Sequence, residues 1–345
     1  MRIAFFSKQL PSDAPNGVSV QVDRLASALV DLGHQVTCFS FSPLPPSAPY
    51  DHVRLAWGAS SRLLKKFIPA LRFRIADKKE FDIVHYHGDD YLCPGSAKRV
   101  RTFYGSALFE AVHAGRTGRF FYQAFFYGLE WVSCLRRGKR AAISRATRRA
   151  LPLVSHVIHC GVPLDRYSPG TKSTAPSILF IGNFKSRKKG DLLLKVFITE
   201  VLPRHPECRL TIVGPDEIAA QSVVCRQRIS EEELIEEYRR AWIYCMPSSY
   251  EGFGVPAIEA MACGTAVVAT RSTGTLEIIT DGQNGVLCEP GNLGASINRV
   301  ITDTAFRNAL VAAGVDEVQK YDMKRIAREY ESLYNETIGK QPRFL

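Results

Sequence analysis

The sequence lacks a long apolar stretch and lacks closely spaced cysteines. No apolar run reaches the roughly 18 residues that a membrane-spanning helix needs. The nine cysteines are irregularly spaced without a C-x-x-C pair, so we expect neither a zinc site nor disulfides, but small core residues in a reducing cytosol. The apolar run at 3–6 has no small-residue cleavage site after it and predicts a first strand rather than a signal peptide. We therefore expect a cytoplasmic protein, attached to the inner face of the membrane at most peripherally.

Acidic residues are scarce in the first half of the chain. Residues 1–170 contain 24 Lys and Arg against 12 Asp and Glu, whereas residues 171–345 contain 21 against 22. The net charge of +11 therefore arises in the first half. Such an excess indicates an anionic partner, which could be a nucleic acid, a membrane surface or a phosphorylated substrate. The alternative is a solvated basic surface without a partner.

Strand-like apolar runs alternate with helical spacing along all 345 residues, which suggests about two domains. A strand at 2–7, a turn-rich loop, a helical pattern and a strand at 35–40 form a βαβ order that predicts a parallel sheet. A second series starts at 177–182 after a turn-rich linker at 161–176. We predict an α/β protein with two Rossmann-like, doubly wound domains. Their predicted bounds are 1–165, joined by a C-terminal helix near 320–340, and 172–318.

The motif P-S-S-Y-E-G-F-G-V-P-A-I-E combines the end of a strand, a glycine turn and the start of a helix. The backbone N–H groups of Phe253, Gly254 and Val255 would meet at the helix N-terminus, a geometry that suits a phosphate. Glu251 and Glu259 lie eight residues apart and are not neighbours on one helical face, so we expect them to act on different parts of one ligand. The structural alternative makes Glu251 a capping acid and Glu259 a helix-surface acid.

This motif resembles the E-x7-E signature of retaining glycosyltransferases of family 4, whose GT-B fold has two Rossmann-like domains facing across a cleft. Other segments resemble the family in the same order, and the likeness covers nearly the whole chain, most strongly at 177–292. These segments are Asn16-Gly17 in the first loop, D-I-V-H-Y-H-G ending a strand at His87, G-V-P-L-D-R-Y-S-P running into the linker, the basic loop G-N-F-K-S-R-K-K-G and L-T-I-V-G.

The resemblance implies a reaction and its reactants. A hexose, for which we expect glucose, would pass from a nucleotide sugar to a glycan or lipid-linked acceptor in cell-surface polysaccharide or glycolipid synthesis. Configuration at the anomeric carbon would be retained, and neither a metal nor another cofactor is expected. UDP-glucose is favoured as the donor only because UDP-sugars are common in the family.

The resemblance also implies residue roles. Glu251 would contact the donor sugar, and Glu259 would hold the ribose hydroxyls. The peptide groups at 253–255 would meet the sugar and the diphosphate. Lys189 best matches the cation that neutralises the departing diphosphate, which a fixed cation and helix N–H groups can stabilise. The alternative for the basic run at 185–189 is a solvated turn.

Two departures from the family concern glycine-containing loops on the two domains. Asn183 stands where many members have Arg, and Lys185 or Arg187 would have to compensate. Asn16 replaces a glycine, although Asn tolerates left-handed backbone. The loop that faces the nucleobase offers Arg228 and Ile229, and nothing in it separates uracil from guanine.

A third departure concerns the N-terminal domain, where many members carry a histidine that reaches the donor sugar. Here T-F-Y-G puts Tyr104 in that place, and Tyr is a poor general base near neutral pH. His85 and His87 are nearby alternatives that an alternating strand directs to the same side. One of the two could instead be a core histidine, or one that only positions a neighbouring residue.

Two segments, 61–79 and 119–140, combine basic with apolar or aromatic side chains. That combination suits an interfacial helix on an anionic membrane, whereas the alternative is that the apolar side chains are core.

Other functions remain open: a sugar-nucleotide epimerase of the same fold, a non-catalytic nucleotide-sugar-binding subunit or, without any supporting motif, a nucleic-acid-binding protein. We expect no nucleic-acid partner, and the sequence leaves the oligomeric state open.

Overall fold

A computed structural model describes residues 1–12, 16–58, 66–112 and 117–339. The chain divides into two compact units. Unit 1 comprises Met1–Gly161 and the C-terminal segment from Met323, and unit 2 comprises Val162–Asp322. The chain enters and leaves unit 2 at neighbouring positions, since Val162 and Asp322 form a parallel bridge.

In its described residues, unit 1 forms a parallel sheet of seven strands in the order β3-β2-β1-β4-β5-β6-β7. The strands are β1 (Arg2–Phe6), β2 (Gln35–Ser40), β3 (Asp51–Arg54), β4 (Ile83–Tyr86), β5 (Arg99–Phe103), β6 (Lys139–Ala142) and β7 (His156–Val157). The helices before the crossing to unit 2 are α1 (Gly17–Asp31), α2 (Ile68–Ile75), α3 (Ala107–Val112), α4 (Thr117–Leu135) and α5 (Arg145–Ala150).

Unit 2 forms a parallel sheet of six strands in the order β10-β9-β8-β11-β12-β13. The strands are β8 (Ser177–Ile181), β9 (Arg209–Val213), β10 (Val223–Arg226), β11 (Ile243–Met246), β12 (Ala266–Thr270) and β13 (Val286–Cys288). The helices are α6 (Gly190–Val196), which continues as a π-helical turn over Phe197–Val201, α7 (Glu231–Arg240), α8 (Val255–Ala262), α9 (Thr275–Ile278), α10 (Leu293–Thr302) and α11 (Thr304–Glu317).

The chain then returns to unit 1 as α12 (Met323–Thr337). Ile326, Tyr330 and Leu333 of α12 are buried in one core cluster with Val22 and Leu29 of α1 and with the sheet. Helix α12 therefore completes the core of a sheet whose other elements all precede unit 2.

Each sheet reverses its strand order once near its centre. The reversal lies between β1 and β4 in unit 1 and between β8 and β11 in unit 2. In open parallel sheets, ligands bind beyond the carboxyl ends of the strands at such a reversal. The predicted α/β architecture of two doubly wound parallel sheets is confirmed. The prediction that most cysteines are small core residues is also confirmed, because all of them except Cys225 are buried.

Candidate active site

In unit 2, the basic turn after β8 meets the glycine turn after β11. The backbone N–H of Ser249 donates to the carbonyl of Arg187 at 2.9 Å. The Arg187 guanidinium in turn donates to the carbonyl of Tyr250 at 2.7 Å. These contacts join the two loops at the strand-order reversal, the position expected for a ligand site.

Glu251 lies between these two loops and is 4% exposed. Its Oε1 is 2.7 Å from Nζ of Lys188, and its Oε2 is 3.3 Å from Nη1 of Arg187. Burial alone would raise the pKa of Glu251, but the charges of Lys188 and Arg187 outweigh it and lower that pKa. The carboxylate is therefore ionised at neutral pH. The interpretation of Glu251 as a capping acid is wrong, because the N-cap position of α8 is Gly254.

Gly254 gives the turn before α8 its shape. Its φ of 108° lies in the left-handed region, and a Cβ there would come within 3.1 Å of the Ile278 side chain. Helix α8 begins directly afterwards at Val255, where the first N–H groups of a helix have no intrahelical acceptor. The neighbouring Phe253 is buried against Tyr321. The turn thus places the start of a helix three to four residues beyond Glu251.

Glu259 lies on α8 and is buried, so its interpretation as a helix-surface acid is wrong. Its Oε2 accepts a hydrogen bond from the Tyr238 hydroxyl at 2.9 Å. Burial raises the pKa of Tyr244, and the charges of both Glu251 and Glu259 raise it further. Tyr244 also packs against Tyr238, with ring centres 5.7 Å apart. The action of Glu251 and Glu259 on one ligand stays a prediction.

The basic turn gives its two consecutive lysines different surroundings. Lys189 is exposed, adopts a left-handed φ of 54° and immediately precedes α6. Lys188, which the sequence did not single out, is the lysine that pairs with Glu251. Asn183 and Lys185 are exposed, and the carbonyl of Asn183 accepts a bond from the Ser186 hydroxyl. The roles of Lys189, Asn183 and Lys185 stay predictions.

The residues predicted for the nucleobase follow β10. Arg228 is exposed with a left-handed φ of 52°, and Ile229 is partly buried. They precede Ser230, whose side chain forms with Glu233 the predicted capping box of α7. Their contact with a base stays a prediction.

In unit 1, Asn16 and Gly17 lie where β1 leads into α1. Asn16 has an extended φ of −132°, so the left-handed backbone considered for it is wrong. Its side-chain oxygen accepts hydrogen bonds from the N–H groups of Val18 and Ser19, each at 3.1 Å. Asn16 is thus the N-cap of α1, whereas space around the Cα of Gly17 is open.

His85 and His87 have different surroundings. His85 is fully buried, and its ring nitrogens lie 2.7 Å from the Tyr334 hydroxyl and 2.8 Å from Thr102 Oγ1. Because both nitrogens are occupied, His85 is a core residue and the direct catalytic role considered for it is wrong. His87 follows β4 and bonds the Tyr104 hydroxyl at 2.9 Å. The structure therefore places His87 and Tyr104 together at the carboxyl ends of β4 and β5.

Within residues 1–12, 16–58, 66–112 and 117–339, no group of three or more His, Cys, Asp or Glu side chains is arranged to hold a metal ion. No helix in this part of the chain is both long and apolar enough to cross a membrane.

Comparison with protein families matches both halves of the chain. The family described as Glycosyltransferase Family 4 matches residues 15–166, and the family described as Glycosyl transferases group 1 matches residues 163–316. With the two parallel-sheet units, these matches define an enzyme, a glycosyltransferase of the GT-B type. The chain belongs to glycosyltransferase family 4.

Curated relatives align over almost the full chain. Phosphatidyl-myo-inositol mannosyltransferase of Mycobacterium tuberculosis is 26% identical in an alignment of 371 positions that covers 95% of each chain. An uncharacterized glycosyltransferase of Methanocaldococcus jannaschii is 24% identical in an alignment of 391 positions that covers 97% of this chain and 98% of the relative. The predicted glycosyltransferase class is confirmed.

Solved structures share the fold. Sucrose-phosphate synthase from Thermosynechococcus elongatus superposes with a TM-score of 0.81 at 22% identity, covering 98% of this chain and 99% of that one. HepE of Anabaena, solved in complex with UDP and glucose, gives a TM-score of 0.76 at 16% identity and covers 96% of this chain and 98% of that one. The predicted GT-B fold is confirmed.

Proposed function

We propose that this enzyme transfers glucose from UDP-glucose to a hydroxyl group of a glycan or lipid-linked acceptor in the synthesis of a cell-surface polysaccharide or glycolipid. The observation that carries the proposal is the buried, ionised Glu251, held by Lys188 and Arg187 beside the start of α8. The nucleotide sugar is the co-substrate, and the reaction uses neither a metal nor another cofactor.

The donor binds to unit 2 at the strand-order reversal. Its diphosphate lies against the N–H groups at 253–255 and the basic turn, where Lys189 supplies a cation, assisted by Lys185 and Arg187 near Asn183. Glu251 contacts the sugar, and Glu259, oriented by its bond from Tyr238, holds the ribose hydroxyls. The base lies near Arg228 and Ile229.

The transfer retains the anomeric configuration. The bond between the anomeric carbon and the β-phosphate oxygen breaks, and its electron pair leaves with UDP. The acceptor oxygen forms the new bond on the same face of the sugar, and its proton passes to the departing phosphate. This route needs no strong base from the protein, which agrees with Tyr104 in place of a histidine.

The acceptor binds to unit 1, which carries the positive charge of the chain. Asn16, Gly17, His87 and Tyr104 all lie near the carboxyl ends of β1, β4 and β5, where a ligand of such a sheet binds. Peripheral contact with an anionic membrane would bring a lipid-linked acceptor to this edge.

A donor screen tests the substrate. The protein is incubated with an acceptor extract and a panel of nucleotide sugars, and the released nucleoside diphosphate is measured. We expect UDP from UDP-glucose. Faster release of GDP from GDP-mannose would show that GDP-mannose is the donor instead of UDP-glucose. That result would agree with the relatives that are named as mannosyltransferases. Epimerised donor without transfer would contradict the proposed reaction.

Site variants test the roles. Glu251→Gln and Lys189→Met should each lower kcat by roughly a hundredfold, because each removes a charge used in the transition state. Lys195→Met, an exposed lysine on α6 outside the site, is the matched control and should keep full activity. Addition of EDTA should leave kcat unchanged. Full activity in Glu251→Gln would contradict the assignment of the site.

A further inference from the structure

Helix α4 turns an apolar side away from unit 1. Of its 19 residues, Ser133 and Cys134 are the buried ones. Phe121, Phe125, Gly128, Val132 and Leu135 follow at spacings of four, three, four and three residues, and all five are exposed. At about 100° per residue these positions fall within a stripe about 80° wide along roughly 20 Å of helix. We call this stripe the α4 ridge.

The α4 ridge points away from the body of unit 1. Glu130 and Cys134, which contact that body, lie on the opposite side of the helix. The exposed fractions of Phe121, Phe125 and Leu135 are 66%, 54% and 72%. A surface helix normally buries its apolar side and exposes its charged side. Helix α4 instead exposes apolar side chains over most of its length. Contiguous apolar exposure of this kind marks an interaction surface.

Basic charge surrounds the α4 ridge. Between 119 and 140, Glu130 is the only acidic residue, against the basic residues Arg119, Arg136, Arg137, Lys139 and Arg140. Lys66 lies with its ammonium group 4.0 Å from the ring centre of Tyr122, next to the ridge. Aromatic side chains flanked by cations are the composition of a helix that lies in the interface of an anionic bilayer.

Of the two predicted membrane segments, the structure favours the second. Arg62, Leu64 and Lys65 of the first lie outside the described residues. Within α2, Ile68 and Phe73 are buried in the core, and the exposed apolar residues are limited to Leu71 and Ile75. The start of α2 nevertheless lies beside α4, with the rings of Phe67 and Phe125 6.4 Å apart.

We propose that the α4 ridge docks this protein on an anionic lipid bilayer. The four apolar side chains enter the interface, and the flanking Arg136 and Arg137 bind lipid phosphates. A two-fold contact between two copies of the chain would instead bring identical basic groups together, which disfavours it. The inference concerns unit 1 alone and holds whichever sugar nucleotide is the donor.

Vesicle flotation of the full chain without donor tests the docking. We expect partition onto vesicles of phosphatidylcholine with phosphatidylglycerol, and little onto phosphatidylcholine alone. Phe121→Ser/Phe125→Ser should lower partition roughly tenfold, and Arg136→Gln/Arg137→Gln should do so on anionic vesicles by a similar factor. The matched control is Ile198→Ser/Leu276→Ser, two exposed apolar residues of unit 2, which should float like the parent.

A second readout does not depend on loss of binding. Phe121→Trp should show a blue shift of tryptophan emission on anionic vesicles and quenching by brominated lipid. Absence of partition by the parent chain, or equal partition by Phe121→Ser/Phe125→Ser, would overturn the proposal. So would a parent that is dimeric by light scattering while Phe121→Ser/Phe125→Ser is monomeric, because the ridge would then join two copies. Donor turnover in detergent, measured separately, reports failure of the proposed function.

Discussion

At the scale of single residues, the charge state of Glu251 depends on two cations from another loop. Burial opposes ionisation of this carboxyl group, and Lys188 with Arg187 reverses the effect. Since Lys188 is the nearer partner, at 2.7 Å, it should contribute more than Arg187.

Lys188→Met should therefore raise the pKa of Glu251. The acidic limb of the pH profile of kcat/KM should move to higher pH, and kcat/KM at neutral pH should fall roughly tenfold through loss of a charge-assisted contact. Lys195→Met serves again as the control. An unchanged acidic limb would show that ionised Glu251 does not limit the reaction.

His85 and His87 should make the folded chain sensitive to acid. Burial lowers the pKa of both well below the usual 6.5, and the charge of Arg101 lowers both further. Below about pH 6.5 the unfolded chain binds protons that the folded chain does not, so stability is full above that pH and is lost as the pH falls. The unfolding free energy should drop by up to about 1.4 kcal/mol per pH unit for each histidine. Urea unfolding between pH 7 and pH 5 measures this slope, and the loss of unfolding free energy over that interval should be smaller in His85→Asn/His87→Asn than in the parent.

The positions of Glu251 and Glu259 could be predicted because the motif that carries them is local in sequence. The partner of Glu251 could not, because Lys188 and Lys189 are adjacent basic residues. The side chains of Lys188 and Lys189 point in different directions because the backbone of Lys189 is left-handed. Residues other than glycine rarely adopt that conformation, and the hydrophobic periodicity of the sequence does not predict it. Tyr238, the partner of Glu259, was missed because 21 residues separate them.

At the scale of elements, sequence periodicity gave α2 and α4 the same interpretation, although their apolar sides differ. A stripe at helical spacing specifies that one face is apolar but not on which side the rest of the unit lies. In α2 the apolar residues are divided, with Ile68 and Phe73 buried and Leu71 and Ile75 exposed. In α4 the whole stripe is exposed. The buried side of α4 was not predicted, since its contacts lie far along the chain.

The inward side of α4 carries a carboxyl group with a raised pKa. Glu130 accepts bonds from the N–H of Ala107 and the hydroxyl of Ser106, and thereby ties α4 to the start of α3, just beyond Tyr104. Burial raises the pKa of Glu130 to about 7, although these bonds and Arg101 oppose it. Its folded pKa therefore exceeds its unfolded value, so its contribution to stability is full at low pH and is lost as the pH rises through 7.

Glu130→Gln should remove this pH dependence. The unfolding free energy of the parent relative to Glu130→Gln should decrease from pH 5 to pH 8, which urea unfolding at both values measures. The comparison cancels the opposite effect of the two histidines. Glu110→Gln, on the neighbouring α3, is the control. A constant difference between parent and Glu130→Gln would contradict the raised pKa.

At the scale of the whole molecule, the two units differ in whether one continuous segment of the chain forms them. Unit 2 is one continuous segment, 162–322, whereas unit 1 needs α12 from beyond it. Without α12, the core of unit 1 loses Ile326, Tyr330, Leu333 and Tyr334, all of them buried. At about 2–5 kcal/mol for each large buried side chain, the loss of these four is as large as the roughly 5–15 kcal/mol by which a domain is stable.

Fragments test this difference. Residues 162–322 expressed alone should unfold cooperatively, whereas residues 1–161 should not, as measured by circular dichroism and urea titration. Fusing 323–339 before residue 1 through a short linker should restore cooperative unfolding of unit 1. A short linker suffices because Ile338, at the end of this segment, and Met1 pack against the same core cluster. Cooperative unfolding of 1–161 by itself would contradict the argument.

The bridge between Val162 and Asp322 marks the two crossings of the chain, and it has a consequence for synthesis on the ribosome. Unit 2 has all of its residues once Asp322 has emerged, but the sheet translated first still waits for α12. During that interval, α1 and β5 expose the apolar surface that α12 later covers, which makes the nascent chain a client for chaperones. A stop codon or a proteolytic cut after 322 would thus damage the beginning of the protein while sparing the middle.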